Sequence, residues 1–217
     1  MSEYETEEQQ VEAIKSWWSE NGRSVLFGVV LGVAVIGGWR GFGAYKDSQA
    51  QDAAGLYGQF AEAVDAKNIA EASSLGAQLR DEFSGYTFPV MASLAEAGLL
   101  VSEGKDLAGA AERLQWAVDN ASLEEMKVVA SLRLARVRAA LGEYDAALSA
   151  LPESASPAFA AMTAEIRGDI ELAMGDETKA RASYEEAQTL SGDVANPGVL
   201  EMKLGDLAVS SSGEGES

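Results

Sequence analysis

The chain has 217 residues, 16 basic and 35 acidic, for a formal net charge of −19, and it contains neither Cys nor His. Disulfides, thiol chemistry and Cys-based metal sites are excluded, and so are the commonest general base and the commonest transition-metal ligand. A chain this acidic repels nucleic acid and anionic lipid, so a phosphate-binding role is not expected.

Residues 1–23 carry six acids against Lys15 and Arg23. Val11, Ile14, Trp17 and Trp18 recur at helical spacing from residue 5 to residue 21, which predicts a short amphipathic helix, with Gly22 expected to break or bend it. Residues 24–39 (SVLFGVVLGVAVIGGW) then carry no charge. That run covers about 24 Å as a helix, and its flanks carry it to the roughly 30 Å of a bilayer core. Arg40 can snorkel, and no further charge appears before Lys46. Trp17 and Trp18 at one end and Trp39, Phe42 and Tyr45 at the other form two aromatic belts, and Trp18 lies about 31 Å of helix from Trp39. A transmembrane helix over residues 24–45 is predicted. The alternatives are a buried core helix and a cleaved signal peptide. Six glycines from Gly28 to Gly43 argue against the first, and the acidic leader argues against the second. Gly28 with Gly32, and Gly37 with Gly41, form two GxxxG pairs that suit close packing against a partner helix. Basic residues flank the span equally on both sides, so charge does not fix its orientation.

Residues 47–209 are rich in Ala, Leu and Glu, hold 12 basic and 29 acidic residues together with the tail, and predict an all-helical domain. Ser156 before Pro157 and Asn196 before Pro197 mark helix starts, and Ser122 with Glu125 has the spacing of a capping box. Acidic pairs such as Glu124 and Glu125 point in different directions on a helix and read as solvated faces rather than a catalytic dyad. No phosphate-loop, dinucleotide or calcium-loop pattern occurs, so no cofactor, metal or catalytic residue is expected, and the chain reads as a non-enzyme. The last residues, 210–217 (SSSGEGES), are expected to be disordered.

Three segments end one helix with glycine and start another at once: GKDLAGAAERL from Gly104, GEYDAALSAL from Gly142 and GDETKARASY from Gly175. A weaker fourth copy pivots at Lys67 and Asn68. A period in the mid-thirties predicts a solenoid of about four antiparallel helix pairs. The pattern resembles tetratricopeptide repeats. Gly168, Gly175, Ala180, Tyr184 and Ala187 fall at that motif's offsets, as do Ala135, Gly142, Tyr144, Ala147 and Leu151. Ala97, Gly104, Ala110, Leu114 and Ala117 fit only after a shift of one residue, and the unit with Ala72 and Leu79 fits least well. Gly104, Ala110, Gly142, Ala147, Gly168, Gly175 and Ala180 are the expected scaffold positions. Arg133, Arg136 and Glu165 are candidate groove residues on first helices, and Trp116 is expected in the core or between repeats.

An acidic leader, one glycine-rich membrane helix and a repeat domain stand in an order that resembles the YfgM family of ancillary SecYEG translocon subunits. The likeness rests on QQVEAIKSWWSENGRSVLFGVVLGVAVIGGWRG (9–41), AAERLQWAVDNA (110–121), LRLARVRAALGEYDAALSAL (132–151) and NPGVLEMKLGDL (196–207). It implies a single-pass inner-membrane protein of bacteria with a cytoplasmic N-terminus and a periplasmic repeat domain. Its partners would be the SecYEG translocon, a PpiD-like membrane-anchored periplasmic chaperone, and unfolded or emerging polypeptides, which it would assist as a chaperone-like module. The alternative is a purely structural scaffold for an envelope complex.

Overall fold

The computed structural model describes residues 4–153, 156–191 and 197–213, and every regular element among them is helical. The helices are α1 (Tyr4–Asp65), α2 (Ile69–Glu82), α3 (Phe88–Leu99), α4 (Leu107–Asn120), α5 (Glu124–Ala140), α6 (Tyr144–Ala150), α7 (Pro157–Ala173), α8 (Glu177–Ser191) and α9 (Pro197–Gly213). Two compact units result, Met1–Asp52 and Ala53–Ser217.

In the first unit the expected short helix and the expected membrane helix are one element. Gly22 does not interrupt α1: the Trp18 indole lies over it, with Nε1 3.2 Å from where a Cβ would stand. A glycine costs a helix interior only about 1 kcal/mol, which packing of this kind offsets. Eight large apolar side chains between Leu26 and Ile36 are each more than half exposed, and they point to every side of the helix. The helix is long and apolar enough to cross a membrane, and none of its most apolar stretch is buried, as a soluble core helix would be.

The second unit is a series of helical hairpins: the end of α1 with α2, α3 with α4, α5 with α6, and α7 with α8, followed by α9. Each hairpin turns on one residue in the left-handed conformation, namely Lys67 (φ 56°), Lys105 (φ 51°), Gly142 (φ 79°) and Gly175 (φ 84°). The next residue opens the second helix. Its amide donates five residues back in three hairpins, Asn68 to Ala63, Glu143 to Arg138 and Asp176 to Glu171. Side-chain oxygens of Asn68, Asp106 and Asp176 then accept from the amides of Glu71, Gly109 and Lys179.

The hairpin of α3 and α4 departs from this pattern. A π-helical turn over Leu100–Gly104 follows α3, and the Asp106 amide donates six residues back, to Leu100. The π turn absorbs one extra residue. This is why the motif matched here only after a one-residue shift, and why the left-handed position falls on Lys105 rather than Gly104. Counted from the true turn residues, Ala72, Ala110, Ala147 and Ala180 each lie five positions on, and all four are fully buried.

Other expectations are corrected locally. The α5 N-cap is Leu123, not Ser122, and no side chain caps it, so the proposed capping box is not made. Glu124 and Glu125 instead place negative charge in the first turn, where it complements the helix dipole. Ser156 does stand before α7 with Pro157 in the first turn, whereas Asn196 lies outside the described residues. Of the tail expected to be disordered, residues 210–213 are the end of α9, because extending a formed helix costs far less than nucleating one.

The core runs as clusters, each joining one hairpin to the next. Phe60, Ala72 and Leu79 meet Ala92 and Leu99, and Leu100, Ala110 and Leu114 meet Leu134. Further on, Leu132, Ala135 and Ala147 meet Ile166 and Ile170, and Ala164, Ala180 and Tyr184 meet Leu200 and Leu207. Contacts between successive units only are the mark of a solenoid. Trp116 is half-buried in such a joint, against the cluster of Val90, Ala117 and Ala130 from α3, α4 and α5.

One charged group is sealed into this stack. Glu96 of α3 is fully buried, and its carboxylate accepts from Arg80 of α2 at 2.7 Å and Arg113 of α4 at 2.9 Å. Gly76 makes room, since a Cβ there would stand 2.7 Å from Glu96 Oε2. Glu96→Ala leaves the buried Arg80 unpaired. It should lower unfolding free energy by about 3–5 kcal/mol in urea titrations of the full chain, and Glu96→Gln by less. Gly168 is equally constrained, because a Cβ would lie 2.5 Å from the Tyr184 ring. Gly168→Ala should cost about 1–3 kcal/mol in the same measurement.

Candidate functional site

The first unit offers one surface. Gly28, Gly32, Gly37 and Gly41 lie on α1, and an added Cβ at any of them would meet no atom within 4 Å. At 3.6 residues per turn the Gly37 and Gly41 pair sits about half a turn round from the Gly28 and Gly32 pair, and roughly 13 Å further along. The two pairs therefore face opposite sides, and one partner helix cannot seat on both. Trp17, Trp18, Trp39 and Tyr45 are all more than half exposed, and Lys46 Nζ stands 5.2 Å over the Phe42 ring.

The second unit presents the first helices of its hairpins. Arg133 and Arg136 on α5 are exposed, and Arg133 Nη1 donates to the Leu94 carbonyl oxygen of α3 at 3.4 Å. The scaffold positions lie beneath this surface. Ala110, Ala147 and Ala180 are fully buried, Gly168 touches the Tyr184 ring, Gly142 and Gly175 hold the turns, and a Cβ on Gly104 would come 3.2 Å from Ile69 Cδ1.

Glu165 is not free to meet a ligand. Lys203 of α9 donates to Glu165 Oε1 at 2.7 Å and to Asp169 Oδ1 at 2.6 Å, and its ammonium lies 5.3 Å from the Tyr184 ring centre. The Tyr184 hydroxyl donates to the same Asp169 oxygen at 2.8 Å. One lysine thus fastens α9 over α7 and α8. Sequence reasoning missed this clamp, because Lys203 stands 38 residues from Glu165 and no local pattern marks the pair. It missed the Glu96 cluster too, although a lone acid in the apolar α3 (FPVMASLAEAGL) was a signal. Among the described residues no group of His, Cys, Asp and Glu could hold a metal.

The clamp has a definite pH signature. Burial disfavours the charged form of Lys203, but Asp169 and Glu165 outweigh it and hold its pKa above the ordinary ammonium value. Burial, then the bond to Asp169, raises Tyr184 well above an ordinary phenol. Both folded-state values exceed the unfolded ones, so the stabilisation is complete below about pH 10 and is lost as pH rises beyond it. Urea midpoints of the full chain should fall above about pH 10, and Lys203→Met should lower the neutral-pH midpoint and flatten that alkaline decline.

The model of a tetratricopeptide repeat-like domain matches residues 15–209. The chain is 33% identical over 212 residues to the ancillary SecYEG translocon subunit of Escherichia coli, covering 96% of this chain and all of that protein. It is 32% identical over 201 residues to the ancillary SecYEG translocon subunit of Haemophilus influenzae, covering 93% of this chain and 97% of that one. The protein of that name from Neisseria gonorrhoeae is 28% identical over 215 residues, covering 95% of this chain and its own whole length. No solved structure matches the chain significantly. The likeness spans both the apolar helix and the hairpins, and the chain belongs to the YfgM family of ancillary SecYEG translocon subunits.

Proposed function

We propose that this protein is a membrane-tethered binding module that works beside a SecYEG translocon. Residues 24–45 cross the bilayer, and residues 47–209 hold segments of other proteins. The observation that carries this reading is the pairing of an all-round apolar helix with a stack of helical hairpins in one chain. Stacked hairpins suit recognition of extended or helical peptide, and a tether raises their effective concentration near a membrane partner. The acidic body favours segments carrying Lys or Arg. We assign the N-terminus to the cytoplasm and the repeats to the periplasm, where a PpiD-like chaperone and emerging polypeptides are the expected partners. Trp17, Trp18, Trp39 and Tyr45 would hold the helix at the two interfaces, and Gly28 with Gly32 would seat a partner helix.

Protease added to spheroplasts should digest the repeat domain, while protease added to intact cells should not. Survival of the domain in spheroplasts would reverse the orientation. Replacing Gly28 and Gly32 together by Leu should reduce the translocon recovered with the tagged chain in mild detergent by about tenfold. Unchanged recovery would remove the glycine face from the interface. Suppression of client aggregation by the full chain in detergent would support a chaperone-like role, and stable capture of membrane partners without it would support a scaffold.

A further inference from the structure

Among the described helices of the second unit, α5 alone carries more basic than acidic residues: Lys127, Arg133, Arg136 and Arg138 against Glu124 and Glu125. Both acids lie in its first turn, and Glu125 stands about 12 Å along the axis from Arg133. Arg133 and Arg136 share the exposed stripe of α5 with Ala140. Side chains three apart on a helix are neighbours, so the two guanidiniums repel each other. Arg138 is turned elsewhere, to Gln115 and to the Ala146 carbonyl oxygen.

No carboxylate among the described residues answers the pair. Glu96 of α3 accepts from Arg80 and Arg113, and Glu103 just beyond α3 pairs with Lys67. On α7, Glu165 and Asp169 hold Lys203, and Glu171 accepts from the Ser183 hydroxyl at 2.7 Å. Every acid on the two neighbouring first helices is thus engaged by another group. Arg136 makes no hydrogen bond or ion pair among the described residues. Arg133 Nη1 donates to the Leu94 carbonyl oxygen at 3.4 Å, which steadies the side chain against α3 and leaves its Nη2 and Nε open. Two adjacent cations with no counter-charge weaken the free helix, and they do so in a chain with 35 acids against 16 bases. Local conflicts of this kind concentrate at functional surfaces. The helices on either side of α5 add apolar surface. Gly98, one turn beyond Leu94, is exposed, and an added Cβ there would meet no atom within 4 Å. On α7, which packs against α5 through Ile166 and Ile170, Met162 and Leu172 remain exposed.

We propose that this face of α3, α5 and α7 binds a segment of another protein in which one Asp or Glu stands between apolar residues. The carboxylate bridges Arg133 and Arg136, whose planar forks match it, and its apolar neighbours rest on Gly98 to one side and on Met162 and Leu172 to the other. The inference rests on the binding-module reading and deepens it by naming what the face accepts. The acidic body repels a polyacidic run at long range, so the pair selects a lone carboxylate within an otherwise neutral or basic segment.

Because the chain has no cysteine, one introduced thiol reports one location. Ala140→Cys places it on the arginine stripe, and Ser149→Cys places it at an exposed position of α6. The full chain in mild detergent is mixed with a short leucine-flanked peptide that carries one cysteine and a central glutamate, or with its glutamine or lysine counterpart. The glutamate peptide should form a disulfide with the Ala140→Cys chain about fivefold faster than the glutamine peptide, and no faster with the Ser149→Cys chain. Comparing peptides at one thiol cancels that thiol's own reactivity. Arg136→Gln, which breaks no bond of the described fold, should reduce the preference to about twofold, and adding Arg133→Gln should abolish it with helical content retained. Equal rates for glutamate and glutamine, faster capture of the lysine peptide, or indifference to both substitutions would overturn the proposal. So would the same glutamate preference at Ser149→Cys, or preferential joining of two Ala140→Cys chains, which would make a second copy the occupant. If no peptide is captured at either thiol the proposal fails, and translocon recovery in detergent judges the wider reading separately.

Discussion

Close approach of the two helices in each hairpin is the constraint on which the repeat domain depends. An alanine with no exposed surface stands five residues past every left-handed turn, at positions 72, 110, 147 and 180. A larger side chain there would push the second helix away from the first, and the error would pass along the stack, because each core cluster already includes residues of the next unit. The same demand recurs at Gly168, where the Tyr184 ring fills the place a Cβ would take. Small residues thus set the spacing, and the large side chains Phe60, Leu114, Leu134, Ile166, Ile170 and Tyr184 fill what that spacing leaves.

The buried charge and the clamp at the end of the stack answer different needs. Glu96 lies inside the stack with Arg80 and Arg113 on either side, so its bonds tie α2, α3 and α4 in a single arrangement. A buried ion pair adds little net stability compared with an apolar replacement, but it penalises any stacking that separates its partners. Lys203 sits on α9, the last described helix of the stack, and two carboxylates and an aromatic ring hold it. Leu200 and Leu207 bury their side chains beneath α9, so the helix shields the last hairpin, while Val199 and Met202 leave its outer face partly apolar. A terminal helix of this kind keeps a repeat stack from presenting a bare apolar end.

Much of this was legible in the sequence. Gly142 and Gly175 could be read as turns because glycine alone takes a positive φ without strain, and both do so. Lys67 and Lys105 take the same conformation with no residue-type signal, so the first two turns were harder to place. The first hairpin matched the motif worst for a physical reason. Its first helix carries Phe60 seven residues before the turn, where the later units have Ala135 and Gly168, and Gly76 follows nine residues after it, where they have Leu151 and Tyr184. The candidate groove residues were less legible. Position on a first helix does not reveal that Glu165 is occupied by a lysine 38 residues away. The shortness of α6 follows from Pro152, which favours the extended backbone of Leu151 before it.

A tethered acidic repeat domain is suited to brief contacts. Exposed charges attract a basic segment over about one Debye length, roughly 8 Å at physiological salt, which speeds encounter more than it slows release. Membrane confinement then supplies the local concentration that a weak site lacks, without any increase in intrinsic affinity. A domain that bound polypeptide tightly in the vicinity of a channel would retain what it met. On the proposed reading, weak sites on a stack of hairpins, held in place by one apolar helix, allow both capture and release without disturbing the alanine-spaced core beneath them.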